Sequence, residues 1–308
     1  MTPPYERVAD SHSDQRAWLN ARCYGIGASE IASVLGISPF KSALELWHEK
    51  VSGEREDLSD REPIQWGHLL EPVIIQEFAR RTGRSVLHGG ELLRSTEHTW
   101  AIATLDAWTW DPQGDEKQPW PLEVKAVGAR QEQAWEDGAP EYYVAQVQQQ
   151  MLVTGCHRAT IAALIGGQRM VWEDIERDPE WVNRIVYNGE RFWQRVLGQD
   201  PPPPDGSFSA RRALLAMYQS DDGSDVMLSA QMADHTDAIE EAKRQKDMAE
   251  RVIAALENEL RAALGPATRG ILSDGRVWTY KEQQRRGYTV QPSTTRVLRL
   301  AQPKGERR

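Results

Sequence analysis

Hydrophobic and polar positions along this chain change their period twice. In SPFKSALELWHEKVSG the apolar Leu44, Trp47 and Val51 recur near helical spacing; Ser38 suits the cap, Pro39 the first helical position, and Gly53 the stop. After the acidic loop EREDLSDRE, the run WGHLLEPVIIQEFARRTG predicts a second helix with Leu70, Ile74 and Phe78 on one face and Gly83 as terminator. Pro72 either kinks this helix or marks its true start. Between Ser85 and Lys125 the period shortens. SVLH, GGELLRS, WAIATLDAWTW and WPLEVKAVG, separated by turns such as DPQGDEKQP, predict antiparallel strands joined by hairpins. A helix from Pro140 through Met151, the strands RATIAALIGG and MVWEDIE, and a helix from Asp178 to Leu197 follow. Helices around a small sheet indicate an α/β or α+β domain.

The stiff segment DPPPPDG is the strongest break in the pattern, and it divides the chain into a domain of residues 1–200, a linker of 201–206 and a tail of 207–308. In the tail, Ser229 to Leu264 predicts one long polar helix. Met232, Ile239, Ala242, Ala249, Ile253, Leu256 and Leu260 step along it by threes and fours, interrupted at His235 and Lys246, which makes a weak coiled-coil seam. ILSDGRVWTYKEQ reads as a hairpin turning at Asp274-Gly275.

With 308 residues and 40% hydrophobic content, the chain can bury one catalytic-size core with an appendage. From Gly265 onward there are ten Lys and Arg against three Asp and Glu, a net of +7, so residues 1–264 carry −16 of an overall −9. An acidic body thus precedes a basic tail, in which Trp278, Tyr280, Arg285, Arg286 and Tyr288 suit nucleic-acid stacking or a protein contact equally well. Two cysteines, Cys23 and Cys156, are too few for a disulfide framework or a four-thiolate cluster. No apolar run approaches the roughly 20 residues of a membrane span, and the start MTPPYERVADSHSDQ is polar, so a cytoplasmic protein is expected.

The chemistry centres on PLEVKAVG. Side chains two apart in a strand share a face, so Glu123 and Lys125 point one way and Leu122, Val124 and Ala126 the other, into a core. A surface ion pair satisfies that pattern by itself. Asp106, in the preceding strand segment IATLDAW, changes the picture, because a hairpin brings it beside Glu123. Two carboxylates with a backbone carbonyl are what Mg²⁺ accepts, and Lys125 beside the ion can share a proton with a water or stabilise charge on phosphorus. Glu71, a carboxylate in the apolar GHLLEPVII, either reaches the same ions or is a helix-surface side chain. His68, three residues earlier, is either a ligand or support or a merely packed side chain, and Gln146 sits on a helix that packs over the sheet. At the amino end, RCYGIGASEIASVLG offers Arg22 and Ser29, the latter as cap of a helix to Leu35, for a phosphate.

Together, RCYGIGASEIASVLG, WGHLLEPVIIQEF, IATLDAW, LEVKAVG and YYVAQVQQQMLVTG, followed by AALIGG and ERDPEW, resemble in order the YqaJ-like phage recombinases, relatives of the lambda exonuclease family within the PD-(D/E)xK nucleases. The resemblance spans residues 14 to 200 closely and the tail loosely. It implies a restriction-endonuclease-like fold, a central mixed sheet flanked by helices, with the long helix and hairpin appended. It also implies a Mg²⁺-dependent exonuclease, with two ions and Mn²⁺ able to substitute, that degrades one strand of a DNA duplex from its 5′ end and leaves 3′ tails for a single-strand annealing recombinase. By this resemblance Asp106, Glu123 and the Val124 carbonyl hold the catalytic ion and Glu71 serves the second. Lys125 positions the nucleophile, Gln146 matches the glutamine of the covering helix, and Arg22, Ser29 and Thr104 match a 5′-phosphate pocket. An arginine of that pocket falls in register with Gln131, so Arg130 beside it is the candidate, and the Pro-Asp of the superfamily name appears as Leu105-Asp106. The resemblance further implies a homotrimer. A repair or defence nuclease of the same superfamily, or a non-catalytic DNA-binding scaffold, are the competing readings.

Overall fold

The computed structural model describes residues 3–11, 13–54, 60–114, 118–285, 287 and 295–300. The residues of the acidic loop from 55 to 59, residues 115–117 of the turn-rich segment, and Arg286 and Tyr288 of the tail lie outside the described residues. The chain divides into two compact units, residues 1–218 and 219–308. The first unit therefore runs beyond the proline segment at which the sequence ended its first domain.

In the first unit, β1 (Tyr5–Asp10), α1 (Gln15–Ala21), β2 (Ile26–Gly27), α2 (Ile31–Val34) and α3 (Ala43–Ser52) precede α4 (Glu62–Thr82). Then come β3 (Ser85–His88), β4 (Glu91–Ser95), β5 (Ala101–Thr104), β6 (Ala107–Trp110), β7 (Trp120–Val127), α5 (Glu141–Thr154), β8 (Arg158–Ile165), β9 (Arg169–Glu176), α6 (Pro179–Leu197) and α7 (Phe208–Met217). One sheet has the order β1-β4-β5-β2 and the other β3-β6-β7-β8-β9. Both are mixed, since β2 runs parallel to β5 and β7 parallel to β8 while the other pairs are antiparallel. The expected mixed sheet with flanking helices is thus met. The polar amino terminus, by contrast, gave no strand signal, yet Tyr5–Asp10 forms an edge strand along β4.

Period-two alternation assigns the faces of the five-stranded sheet. Leu122, Val124 and Ala162 pack with Ile74, Ile75 and Phe78 of α4. On the opposite face Ile161, Ala163 and Ile165 pack with Val147 and Met151 of α5 and with Trp135. A larger apolar cluster joins α2, α3, α5, α6 and α7 to the four-stranded sheet.

Three helix boundaries differ from the pattern. α3 starts at Ala43, capped by Ser42, whose side chain accepts from the Glu45 N–H; Ser38 instead accepts from the N–H groups of Phe40 and Lys41 and closes a turn. α4 begins at Glu62, so Pro72 lies inside it and leaves the His68 carbonyl without its helical donor. α7 follows the proline segment but belongs to the body: Ser209 and Arg212 bond the Glu45 carboxylate of α3, and Ala210 and Ala213 are buried.

The second unit comprises α8 (Ala230–Leu264) and the hairpin of β10 (Arg269–Ile271) and β11 (Val277–Thr279), with Gly275 at φ 87° in its turn, as the Asp274-Gly275 pair predicts. Among the described residues no helix is long and apolar enough to cross a membrane.

On the α4 side, Arg84 clamps Asp174 of β9 through two hydrogen bonds of 2.7 and 2.5 Å, Thr160 adds one of 2.6 Å, and Trp120 donates to Thr160 at 2.9 Å. Burial pushes the Asp174 carboxyl up, but its bonds to Arg84 and Thr160 outweigh burial and hold it below the usual range. A lowered carboxyl pKa contributes stability that is present above the ordinary value near 4 and is lost as pH falls through the folded value. Asp174→Asn should therefore lower unfolding free energy by about 1 kcal/mol at pH 7, a figure kept small because the pair opens to solvent. In urea unfolding at graded pH, the difference from wild type should shrink below about pH 4. An unchanged difference at pH 3 would contradict this assignment.

Candidate active site

WAIATLDAWTW reads as one strand, but it is interrupted for two residues. β5 ends at Thr104, Leu105 and Asp106 leave the ladder, and β6 starts at Ala107 in the other sheet. Opposite this break lie Gly89 and Gly90, whose N–H groups donate to the carbonyls of Asp106 and Leu105 at 3.0 Å each. Only glycines fit here. A Cβ on Gly89 would stand 2.1 Å from the Leu105 carbonyl oxygen, and Gly90 has φ 110°. The β3–β4 and β5–β6 segments are thus one long ribbon bent from sheet to sheet, with Asp106 at the bend.

The Asp106 carboxylate accepts the Val124 N–H at 2.8 Å, which fastens the bend to the middle of β7. Next to it Glu123 is 2% exposed, covered by α5. Its Oε1 accepts from Gln146 at 2.6 Å and from the Lys125 ammonium in a short contact, and its Oε2 accepts from Gln150 at 2.6 Å. The Lys125 nitrogen also stands 4.9 Å from the centroid of the Tyr143 ring. The face that carries Glu123 and Lys125 is therefore a charged pair enclosed under a helix, with the glutamines of α5 reaching down to it.

The charged groups here perturb one another. Burial, then the Glu123 charge, raise the Asp106 carboxyl well above its ordinary range; Lys125 and the Val124 N–H oppose this, and Glu71 adds to it. Burial alone would lower the Lys125 amine, but Glu123 and Asp106 together drive it above its ordinary value, so it stays an ammonium. Glu71 and Glu123 thus act on Asp106 in one direction and Lys125 in the other.

Around them lies a cleft of about 380 Å³, lined by Arg22, Ser29, His68, Glu71, Thr104, Asp106, Glu123, Lys125 and Gln146 among others. The structure brings these sequence candidates together from helix, strand and turn. Two candidates are not among the lining residues: Val124, whose N–H meets Asp106, and Arg130, which is exposed in the turn Ala129–Trp135, where Gln131 is exposed too. Ser29 lines the cleft but caps nothing. Gly27 occupies the cap of a short turn, Ala28–Glu30, and its N–H donates to the Glu30 carboxylate at 2.7 Å. Thr104 accepts from the Trp18 indole at 3.1 Å, and the Arg22 guanidinium lies 4.7 Å over the Trp18 ring. Glu30, 5% exposed, pairs with Lys50 at 2.7 Å and with Arg22 at 3.6 Å, while Lys50 also bonds the Arg22 carbonyl at 2.8 Å.

Gln150, Glu30, Lys50 and Trp18 carry no pattern that marks them in the sequence. The signal that was present, a run of glutamines on an apolar helix, becomes informative only once α5 is known to be buried. Gln148 bonds the Glu176 carbonyl and the Asp178 N–H, and Gln149 the carbonyls of Ile26 and Ile102.

The donor chemistry fits a hard divalent cation. Asp106, Glu123 and Glu71 are oxygen donors, and Glu123 Oε2 keeps a lone pair beyond the one that Gln150 uses. Among the described residues no group of three or more His, Cys, Asp or Glu side chains is placed to hold a metal ion by itself. Backbone carbonyl, water or substrate oxygen would have to complete the shell, as suits Mg²⁺.

Comparison with known proteins follows this geometry. Residues 17–157, which contain every residue named for the cleft, match the YqaJ-like viral recombinase domain. The uncharacterized protein YqaJ of Bacillus subtilis (strain 168) is 30% identical over 270 residues, covering 86% of this chain and 83% of that protein. Among solved structures, the alkaline exonuclease LHK-Exo of Laribacter hongkongensis is 22% identical with a TM-score of 0.49, covering 59% of this chain and 93% of its own. A phage related exonuclease of Haemophilus somnus 129PT is 15% identical with a TM-score of 0.41, over 59% of this chain and 99% of that one. By the extent of its match to YqaJ, the chain belongs to the YqaJ-like viral recombinase family.

Proposed function

We propose that this chain is a divalent-metal-dependent exonuclease of phage-type recombination, which removes nucleotides from the 5′ end of one strand of a DNA duplex and leaves 3′ tails for a single-strand annealing recombinase. The observation that carries the reading is the anchoring of Asp106 to the Val124 N–H beside Glu123, Lys125 and Gln146 in one acidic cleft. Asp106, Glu123 and the Val124 carbonyl would hold one ion, and Glu71 would serve a second. A bound Mg²⁺ supplies charge neutralisation at the scissile phosphate and a more acidic water.

The protein's own groups do the rest. Lys125, paired with Glu123, would set a positive charge beside the reacting phosphorus and position the attacking water. Gln146 and Gln150 hold Glu123 in one rotamer, so that no reorganisation is needed when substrate enters. Arg22, Ser29 and Thr104 line the same cleft and suit a terminal phosphate. The acidic body is no obstacle, because the ions and Arg22 make the cleft locally attractive while the net charge stays negative. The annealing partner belongs to this proposal through the family resemblance.

Digestion of a duplex labelled at either end should show loss from 5′-phosphorylated ends that requires Mg²⁺ or Mn²⁺ and stops with EDTA. Asp106→Asn and Glu123→Ala should each slow it by about 10²-fold or more, since several kcal/mol of charge stabilisation is removed. Lys125→Ala should slow it comparably while the circular-dichroism melt stays cooperative, because Leu122 and Val124 supply the packing on the other face. Cleavage that survives all three substitutions would sink the proposal.

Glu30 gives a second test. Its carboxylate ties Arg22, the Gly27 N–H and Lys50 together, so Glu30→Gln should release Arg22. The preference for 5′-phosphate over 5′-hydroxyl ends should fall about tenfold, mainly through KM, with kcat on hydroxyl ends kept. An equal loss on both ends would instead mark Glu30 as structural only.

A further inference from the structure

α8 runs for 35 residues without burying one, and its apolar positions stay half exposed: Ile239 is 50% exposed, and Ile253 and Leu256 are 55%. We propose that α8 pairs antiparallel with α8 of a second copy of this chain. The heptad pattern places Ile239, Lys246 and Ile253 at the a positions and Ala242, Ala249 and Leu256 at the d positions.

A parallel pair sets each layer against itself. Lys246 would then face Lys246, and the alanine layers would leave gaps. An antiparallel pair matches a layers to d layers. Lys246 then meets Ala249 of the second copy, Ile253 meets Ala242, and Ile239 meets Leu256, so most layers combine one large and one small side chain. The flanking charges agree. Lys243 and Glu250 occupy e positions, which approach one another across an antiparallel seam, giving two Lys243–Glu250 pairs by symmetry. In the parallel arrangement the facing positions are Gln245 with Glu250 and Val252 with Glu257, with no opposite charges. A lysine within the seam therefore acts against the wrong orientation.

The test uses the full chain with Cys23 and Cys156 replaced by Ser. Ala242→Cys and Ile253→Cys variants are oxidised alone and mixed. The two positions are 11 residues apart, about 16 Å along a helix, too far for one disulfide unless the helices oppose. The expected result is a mixed 242–253 product and no self-linked one. In the mixed pair, adding Lys243→Glu to both copies should lower its yield about threefold or more, and Lys243→Glu with Glu250→Lys should restore it. Self-linked dimers of either variant, no mixed product from a monomeric or trimeric chain, or a yield indifferent to Lys243→Glu would each overturn the pairing.

Discussion

A single buried carboxylate organises this fold. Glu123 lies at the centre of β7 with almost no access to solvent, where an unpaired charge would cost several kcal/mol. Lys125, Gln146 and Gln150 satisfy it, and two of these come from α5. The hydrogen bonds therefore fix the rotation and height of α5 over the sheet, and apolar contacts of Val147 and Met151 fill in around them. Stability and site geometry rest on the same four residues.

The second constraint is the bend in the ribbon. A regular strand would alternate Leu105 and Asp106 between the faces of a single sheet. Because Gly89 and Gly90 let two backbones approach without a Cβ, the chain crosses instead between two sheets. Asp106 is carried to the seam, where the β7 amide receives its side chain. The result is a cluster of acidic groups that raise the Asp106 pKa, a setting that favours a cation. In the same cleft the Glu30–Lys50 pair holds Arg22, so that cationic and acidic groups share one opening.

Much of this was legible in the sequence, for a definite reason. The periods of two and 3.6 come from local backbone geometry, so the strands from Ser85 to Val127, the helices after Pro140 and Asp178, and the long α8 lie where the pattern puts them. The pairing of Asp106 with Glu123-x-Lys125 follows from hairpin register, which is also nearly local. Boundaries set by one side chain were harder: Ser38 and Ser42 are equally good caps by composition, and the fold selects Ser42 because its backbone also meets Ser209 from α7.

What only the tertiary structure decided is everything that depends on elements distant in sequence. No local rule distinguishes Gln150 from a chance glutamine, or Lys50 from a solvated lysine. Their roles arise when α5 covers β7 and α3 meets the turn at Gly27. The position of Arg130 shows the same in reverse, since a residue adjacent to the site in sequence turns outward on a short 3₁₀ segment. The sequence by itself determined the elements, the acid pair and the lysine, because period and register are properties of neighbouring residues. The structure decided which polar groups are buried together, because desolvation is a property of the whole fold.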